Sequence, residues 1–370
     1  MNEVNDWALG VWRKIETKMS AQRDRLGACA PYAVINGRYT DKMTDNVCWW
    51  TNGFWAGMLW LMYHSSGDEK YLQTARAIEE KLDAALASFE GLHHDVGFMW
   101  TLASVLDWRL TGGKDARRRA LHAAAILAGR YNPRGRFIRA WNRDCTGWII
   151  IDCMMNLSLL YWAAEESADP RFKFIAEDHA ETALKYLIRK DGSCNHIAVL
   201  DPRTGDLLET QAGQGYAVDS SWARGQAWAL YGFMISYNHT GETRYAEAAR
   251  RVAGYFCAEV ERFGFVPPVD FRAPDEPRKI DTSAGAIAAC GLLALHEAGK
   301  GADYADSAVK ILKAIEAAHC DWDPETDGIV KTATAQYHGK PEECHVPLIY
   351  GDYFFLEALN RLRGSDLKIW

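Results

Sequence analysis

The run Gln226-Ala227-Trp228-Ala229-Leu230-Tyr231-Gly232-Phe233-Met234-Ile235-Ser236-Tyr237 is followed by the turn Thr240-Gly241-Glu242, and then by residues 245–260. The first piece is apolar or small on nearly every side, which marks a helix buried on all faces. The turn carries a helix stop and a helix start: glycine ends one helix, and an acidic residue favours the beginning of the next. In 245–260 the charges fall on one side at helical spacing, so this second helix is amphipathic. The unit is a helical hairpin with one arm inside and one arm outside.

Working outward, the unit repeats. Further turns read Ser66-Gly67-Asp68, Thr111-Gly112-Gly113, Ser167-Ala168-Asp169 and Gly299-Lys300-Gly301, and aromatics follow at Tyr71, Phe172, Tyr245 and Tyr304. Apolar helices are predicted over 55–63, 98–110, 153–164, 226–237, 284–298 and 353–362. Amphipathic partners are predicted over 71–86, 117–131, 173–188 and 245–260. Six inner helices alternating with roughly six outer ones predict an all-α, closed (α/α)6 barrel formed by residues 1–370 as a single catalytic domain. An open solenoid is the competing fold, but unequal hairpins with long inserts suit a regular stack poorly.

Composition narrows the function. With 42 Lys and Arg against 49 Asp and Glu, the net charge of -7 offers no broad basic field for nucleic acid. The apolar stretch 148–164 is broken by Asp152 and Asn156, and is read as a buried helix, not a membrane span. The acidic start lacks a signal-peptide pattern, and nine cysteines without a C-x-x-C pair argue against a disulfide framework or a zinc site, so a cytoplasmic location is expected. Trp, at 15, nearly equals Tyr at 16, which calls for a large core or a surface that stacks flat ligands.

Polar residues collect where the inner helices start: Trp49-Trp50-Thr51-Asn52, His93-His94-Asp95, Asp152, Ser220-Ser221-Trp222 with Arg224, Asp281-Thr282-Ser283 and Gly351-Asp352-Tyr353. In a toroid these starts share one end and line one funnel mouth. Asp281, Ser283 and Asp352 are read as helix caps. Asp95 and Asp152 enter apolar segments, where a carboxylate is costly unless it is paired and where burial raises its pKa. Two carboxylates in one cavity suit acid/base chemistry on sugars. Arg224 beside Trp222 and Trp228 suits an anionic ring, the fork gripping a carboxylate and the indole stacking on the sugar; the same pairing also occurs as plain packing. His196 falls on a predicted loop, either solvated or part of the site. His93 and His94 with Cys48 or Cys145 match no standard metal-ligand spacing. Gly112-Gly113 and Gly213-x-Gly215 are expected to follow no strand and lack the P-loop lysine.

At these residues the chain resembles the unsaturated glucuronyl hydrolases, glycoside hydrolase family 88. The matching pieces are Trp49-Trp50-Thr51-Asn52-Gly53-Phe54-Trp55, His93-His94-Asp95-Val96-Gly97-Phe98, Ile151-Asp152-Cys153-Met154-Met155-Asn156, Gln214-Gly215, 221–228 and Tyr350-Gly351-Asp352-Tyr353-Phe354, in the family's order across about 49–362. The resemblance implies an (α/α)6 barrel that acts, without metal or cofactor, on oligosaccharides left by polysaccharide lyases. Those fragments, glycosaminoglycan-type disaccharides first among them, carry a 4,5-unsaturated uronic acid at the non-reducing end. Protonation at C4 of this vinyl ether and addition of water at C5 give a hemiketal, which opens and releases the next sugar. By the same resemblance Asp152 is the proton donor and water activator, so it must exchange its proton near the working pH. Asp95 is the second essential carboxylate. Asn52, His94, His196, Gln214 and Arg224 surround the uronate, and Trp49, Trp222 and Trp228 are aromatic walls. Some members hold sulfated sugars through basic and hydroxyl residues near the C-terminus, where Ser365 and Lys368 stand here beside an opposing Asp366. An unsaturated rhamnogalacturonyl hydrolase, a non-catalytic sugar-binding toroid and an inverting glycosidase are the alternatives.

Overall fold

The computed structural model describes residues 2–299 and 304–370. Six helices form an inner ring: Phe54–Ser66, the interrupted helix 96–111, Cys153–Ser167, Ala223–Thr240, Thr282–Glu297 and Ile349–Leu362. Each packs on the next, and the last packs on the first, which closes the ring. Six outer helices alternate with them: Asn2–Leu26, Glu69–Ser88, Lys114–Ala128, Pro170–Leu187, Thr243–Arg262 and Tyr304–His319. The (α/α)6 barrel is therefore the observed architecture. The N-terminal helix and Tyr304–His319 are the two outer arms that the hairpin reading did not name; the first packs on the last and first inner helices and so covers the join.

The inner helices form because apolar and small side chains face every direction. In Thr282–Glu297 all fourteen residues from Thr282 to Leu295 are buried. The outer helices start where the sequence puts a cap. Asp68 accepts from the Lys70 amide and Asp169 from the Arg171 amide, with Pro170 in the first turn. The predicted turn at Gly299-Lys300-Gly301 lies largely outside the described residues. The second inner helix is broken by a π-helical turn at Thr101–Val105.

Two expectations are corrected. Residues 148–164 are not one helix: Trp148–Ile150 is a strand, and the helix begins at Cys153. Three consecutive isoleucines favour a pleated, paired backbone, and Ile149 and Ile150 pair with Ala198 and Ile197. Nor does Gly213 lack a preceding strand. Leu207–Gln211 is the third strand of an antiparallel sheet in which Ile197–Leu200 is central. Ile150, Ile197 and Gln211 stand in one row of that sheet. The chain leaves the row at one end through Asp152, His196 and Gln214, so the sheet gathers three distant pieces of sequence.

Candidate active site

A cavity of about 250 Å³ opens at the end of the barrel where the inner helices start. It is lined by Trp49, Trp50, His93, His94, Asp95, Trp141, Ile150, Asp152, Gln214, Arg224 and Gln336. Asp95 and Asp152 precede their helices but make no side-chain cap bond. Their oxygens turn into the cavity.

Asn156 joins the two. Its Nδ2 donates to Asp95 Oδ1 at 3.1 Å and to the Asp152 carbonyl at 3.1 Å, while its Oδ1 accepts from the Phe98 amide at 2.7 Å. Such contact needs the two helices close together, and Gly97 permits it: a β-carbon there would lie 2.5 Å from the Asn156 backbone. Asp95 Oδ2 lies 3.4 Å from His93 Nδ1 and 3.6 Å from His94 Nε2. Burial, and then the charge of Asp152, push the Asp95 carboxyl well above the usual carboxylate range. Burial, and then Arg130, pull His93 down to about 4, and burial, followed by the neighbouring His93 ring and Arg130, holds His94 well below its ordinary value. Both imidazoles are thus neutral near pH 7.

His196 backs Asp152. Its Nε2 lies 3.4 Å from Asp152 Oδ2, its Nδ1 accepts from the Gln214 amide at 2.9 Å, and its ring packs on Trp222 at 4.3 Å. His196 is buried, so the solvated-loop reading is overturned. Gln214 reaches across to the 333–346 hairpin, its Nε2 donating to the Ala335 carbonyl at 2.9 Å.

The remaining expected residues divide. Trp49, His94, Gln214 and Arg224 line the cavity. Trp222 stands behind it, sandwiched by His196 and the Arg224 guanidinium, the latter 4.7 Å from the ring centroid. Asn52 does not line it: its Nδ2 donates to the carbonyls of Asn46 and Val47 and so holds the turn that presents Trp49. Trp228 is core, packed on Phe98 and Phe354. One helical turn below Arg224 is about 5.4 Å deeper along the axis, where aromatic rings already fill the barrel.

Arg224 is also corrected in role. Its guanidinium donates to Asp281, to the Thr334 carbonyl at 2.9 Å and to the Ala335 carbonyl. Much of the fork expected to grip a substrate carboxylate is thus spent within the protein, and the residue ties the 333–346 hairpin to the ring while it lines the cavity. Asp281 does cap, accepting from the Ser283 amide at 3.2 Å, and adds this ion pair. Asp352 caps nothing on its own helix; it accepts from the amides of Ile329 and Val330 and from the Tyr39 hydroxyl.

Trp50 and His93 line the cavity from the clusters expected at the funnel mouth, though no role is assigned to them in the sequence; Trp141, Ile150 and Gln336 as cavity residues, and Asn156 and Arg130 as supports, were missed. Asn156 was findable, since it lies one helical turn past Asp152 in an otherwise apolar run. Arg130 donates to the carbonyls of Leu92, Arg139, Ala140 and Trp141 and so joins the loop of His94 to that of Trp141. Nothing local in the sequence announces it. His93, His94 and Asp95 bring ligand atoms within 4.8 Å of one another, whereas Cys48 lies against Ser88.

Two buried carboxylates at the mouth of a toroid, flanked by indoles, suit acid/base chemistry on a sugar. No protein-family model matches the chain. The unsaturated glucuronyl hydrolase of Bacillus sp. (strain GL1) is 36% identical over 355 residues, 91% of this chain and 92% of that protein. The unsaturated chondroitin disaccharide hydrolase of Streptococcus pyogenes serotype M1 is 33% identical over 87% of this chain and 83% of its own length. A solved structure described as UGL with dGlcA-Glc-Rha-Glc superposes with a TM-score of 0.89 at 33% identity, covering 96% of each chain. The chain belongs to the unsaturated glucuronyl hydrolases.

Proposed function

We propose that this protein releases the 4,5-unsaturated uronic acid from the non-reducing end of lyase-generated oligosaccharides, glycosaminoglycan-type disaccharides first among them. Family membership supports the hydrolase activity. The observation that carries the residue assignment is the set of unmet polar atoms around one cavity. Among the described residues, Asp152 Oδ2, His196 Nε2, His94 Nδ1 and Trp49 Nε1 are buried without a hydrogen-bond partner. Native proteins rarely leave such atoms unpaired, and a sugar ring supplies many hydroxyls.

In this reading the uronate ring sits among Trp49, Trp50 and Trp141. Asp152 gives its proton to C4, and the charge that develops at C5 is met by the carboxylate left behind. The same carboxylate then takes a proton from the water that adds at C5. Asp95 keeps its own proton and holds a sugar hydroxyl. With Arg224 and Gln214 both bonded to the 333–346 hairpin, the uronate carboxylate is held by the Gln336 side chain, which lines the same cavity. The test is ultraviolet absorbance of an unsaturated chondroitin or hyaluronan disaccharide, whose conjugated double bond is lost on hydration. A fall with wild type and none with Asp152→Asn is expected. Equal rates would remove Asp152 from the mechanism.

A further inference from the structure

Gly213 and the Gln214 amide stand against the ring of His196 in a way that fixes where its proton lies. Gly213 has φ of +56°, and a β-carbon there would fall 1.9 Å from His196 Nδ1. The Gln214 amide is 2.9 Å from that nitrogen. A backbone N–H can only donate, so Nδ1 must present its lone pair. The Ala212 carbonyl, 3.3 Å from the same nitrogen, would instead require a proton there. The amide contact is the shorter. A neutral imidazole carries one N–H, so with Nδ1 accepting, the proton sits on Nε2. Nε2 is the atom 3.4 Å from Asp152 Oδ2.

The sheet row makes the arrangement rigid. Ile150, Ile197 and Gln211 are in register, and the Ile151 amide donates to the His196 carbonyl at 3.1 Å. Trp222 covers one part of the ring, and Gly213 leaves room for it on another.

We propose that the 212–215 loop is a tautomer clamp, in which the Gln214 amide holds His196 as an Nε2–H donor toward Asp152 and Gly213 is the positioning residue that lets the amide reach. The consequence is chemical. A protonated Nε2 facing Asp152 offers no lone pair, so the ring cannot take the proton that Asp152 gives to the substrate. A ring of the opposite tautomer would compete for that proton as a base.

This rests on the role given to Asp152 above, but its first readout needs no substrate. The whole protein is labelled with nitrogen-15 in histidine, and the His196 signals are identified by their loss in His196→Asn. An unprotonated Nδ1 and a protonated Nε2 are expected; a proton on Nδ1, or averaged signals from a ring exchanging tautomers, would overturn the clamp. Gly213→Ala should abolish this signature and lower kcat by about a hundredfold, with KM within about twofold. Gly254→Ala, on an outer helix where a β-carbon meets nothing within 4 Å, should change neither. If Gly213→Ala does not fold, the wild-type ring nitrogens decide alone. If it folds and keeps its kcat, Gly213 has no positioning role.

Discussion

Four aspartates stand at the starts of inner helices, and they fall into two pairs. Asp281 and Asp352 are saturated. The first accepts from Arg224, Ser283 and the Thr334 amide, the second from two amides and a tyrosine hydroxyl. Among the described residues, Asp95 has one hydrogen bond, from Asn156, and Asp152 Oδ2 has none. The residue type and the place in the ring are the same; the number of partners differs. A buried carboxylate with all its lone pairs met is already compensated within the fold and holds distant segments together. One with lone pairs unmet beside a cavity is costly to the fold and free for a ligand.

Substitution should therefore separate the pairs by what is lost. Asp152→Asn should lower kcat by about 10²–10⁴-fold, the range for a positioned acid/base group, while the urea midpoint stays near wild type. Asp281→Ala should do the reverse in kind: it leaves the Arg224 guanidinium buried without its counter-ion, costing about 3–5 kcal/mol of stability. Equilibrium unfolding in urea measures both. An Asp281→Ala protein as stable as wild type would erase the distinction.

Asp95 sharpens the comparison through pH. Its folded pKa is raised by burial, so the stability linked to it is complete below the unfolded value of about 4 and is lost as pH rises through the folded value. The amide that Asp95→Asn introduces does not titrate. That variant should gain on wild type in unfolding free energy as pH increases while losing turnover. A parallel pair of stability–pH curves would show that Asp95 carries no such strain.

The ring was legible because its cause is local. Helical periodicity, small-residue turns and acidic caps are written within a few residues of where they act, as at Ser66-Gly67-Asp68. Asp152 and Asp281 were separable for the same reason: an acid among isoleucines and methionines reads differently from one beside Thr282 and Ser283, whereas Asp352, between Gly351 and Tyr353, carries no such sign. What stayed hidden is set by segments that meet only in three dimensions. Arg224 looked like a ligand fork because its partner Asp281 is 57 positions away and the carbonyls of Thr334 and Ala335 are 110 and 111 away. Trp228 looked like a wall because spacing along a helix gives its face but not its depth. Gln336 gave no signal, since only the hairpin that carries it brings it to the cavity.

The two ends of the barrel give the next contrast. Trp141 lines the cavity at the mouth and packs on Trp148 at 5.7 Å. Trp141→Ala should raise KM by about two- to tenfold, the loss of one aromatic contact of about 0.5–1.5 kcal/mol, and leave the unfolding midpoint nearly unchanged. Trp228→Ala should cost about 3–5 kcal/mol of stability as a core truncation, since its indole is packed in the barrel interior. Michaelis constants and urea midpoints for both variants would show whether depth below the mouth is what divides wall from core.

The smallest effect belongs to the tail. Ser365 and Lys368 line a separate cavity of about 550 Å³ with Arg109, Glu165, His239, Glu297 and Arg361, all from the C-terminal ends of inner helices. About fifteen residues of helix, roughly 22 Å at 1.5 Å per residue, separate that end from Asp95 and Asp152. Arg109 fastens the tail by donating to the carbonyls of Lys368 and Ile369, and Trp370 inserts into the barrel base, its Nε1 donating to Glu357 at 2.9 Å. The tail lies at the C-terminal ends of the inner helices, so Ser365 and Lys368 stand far from a leaving sugar at the mouth. Ser365→Ala and Lys368→Ala should each leave KM unchanged for sulfated and unsulfated disaccharides alike. A rise in KM confined to the sulfated substrate would mean that the tail reaches the mouth, and the division of the barrel into a chemical end and a structural end would fall with it.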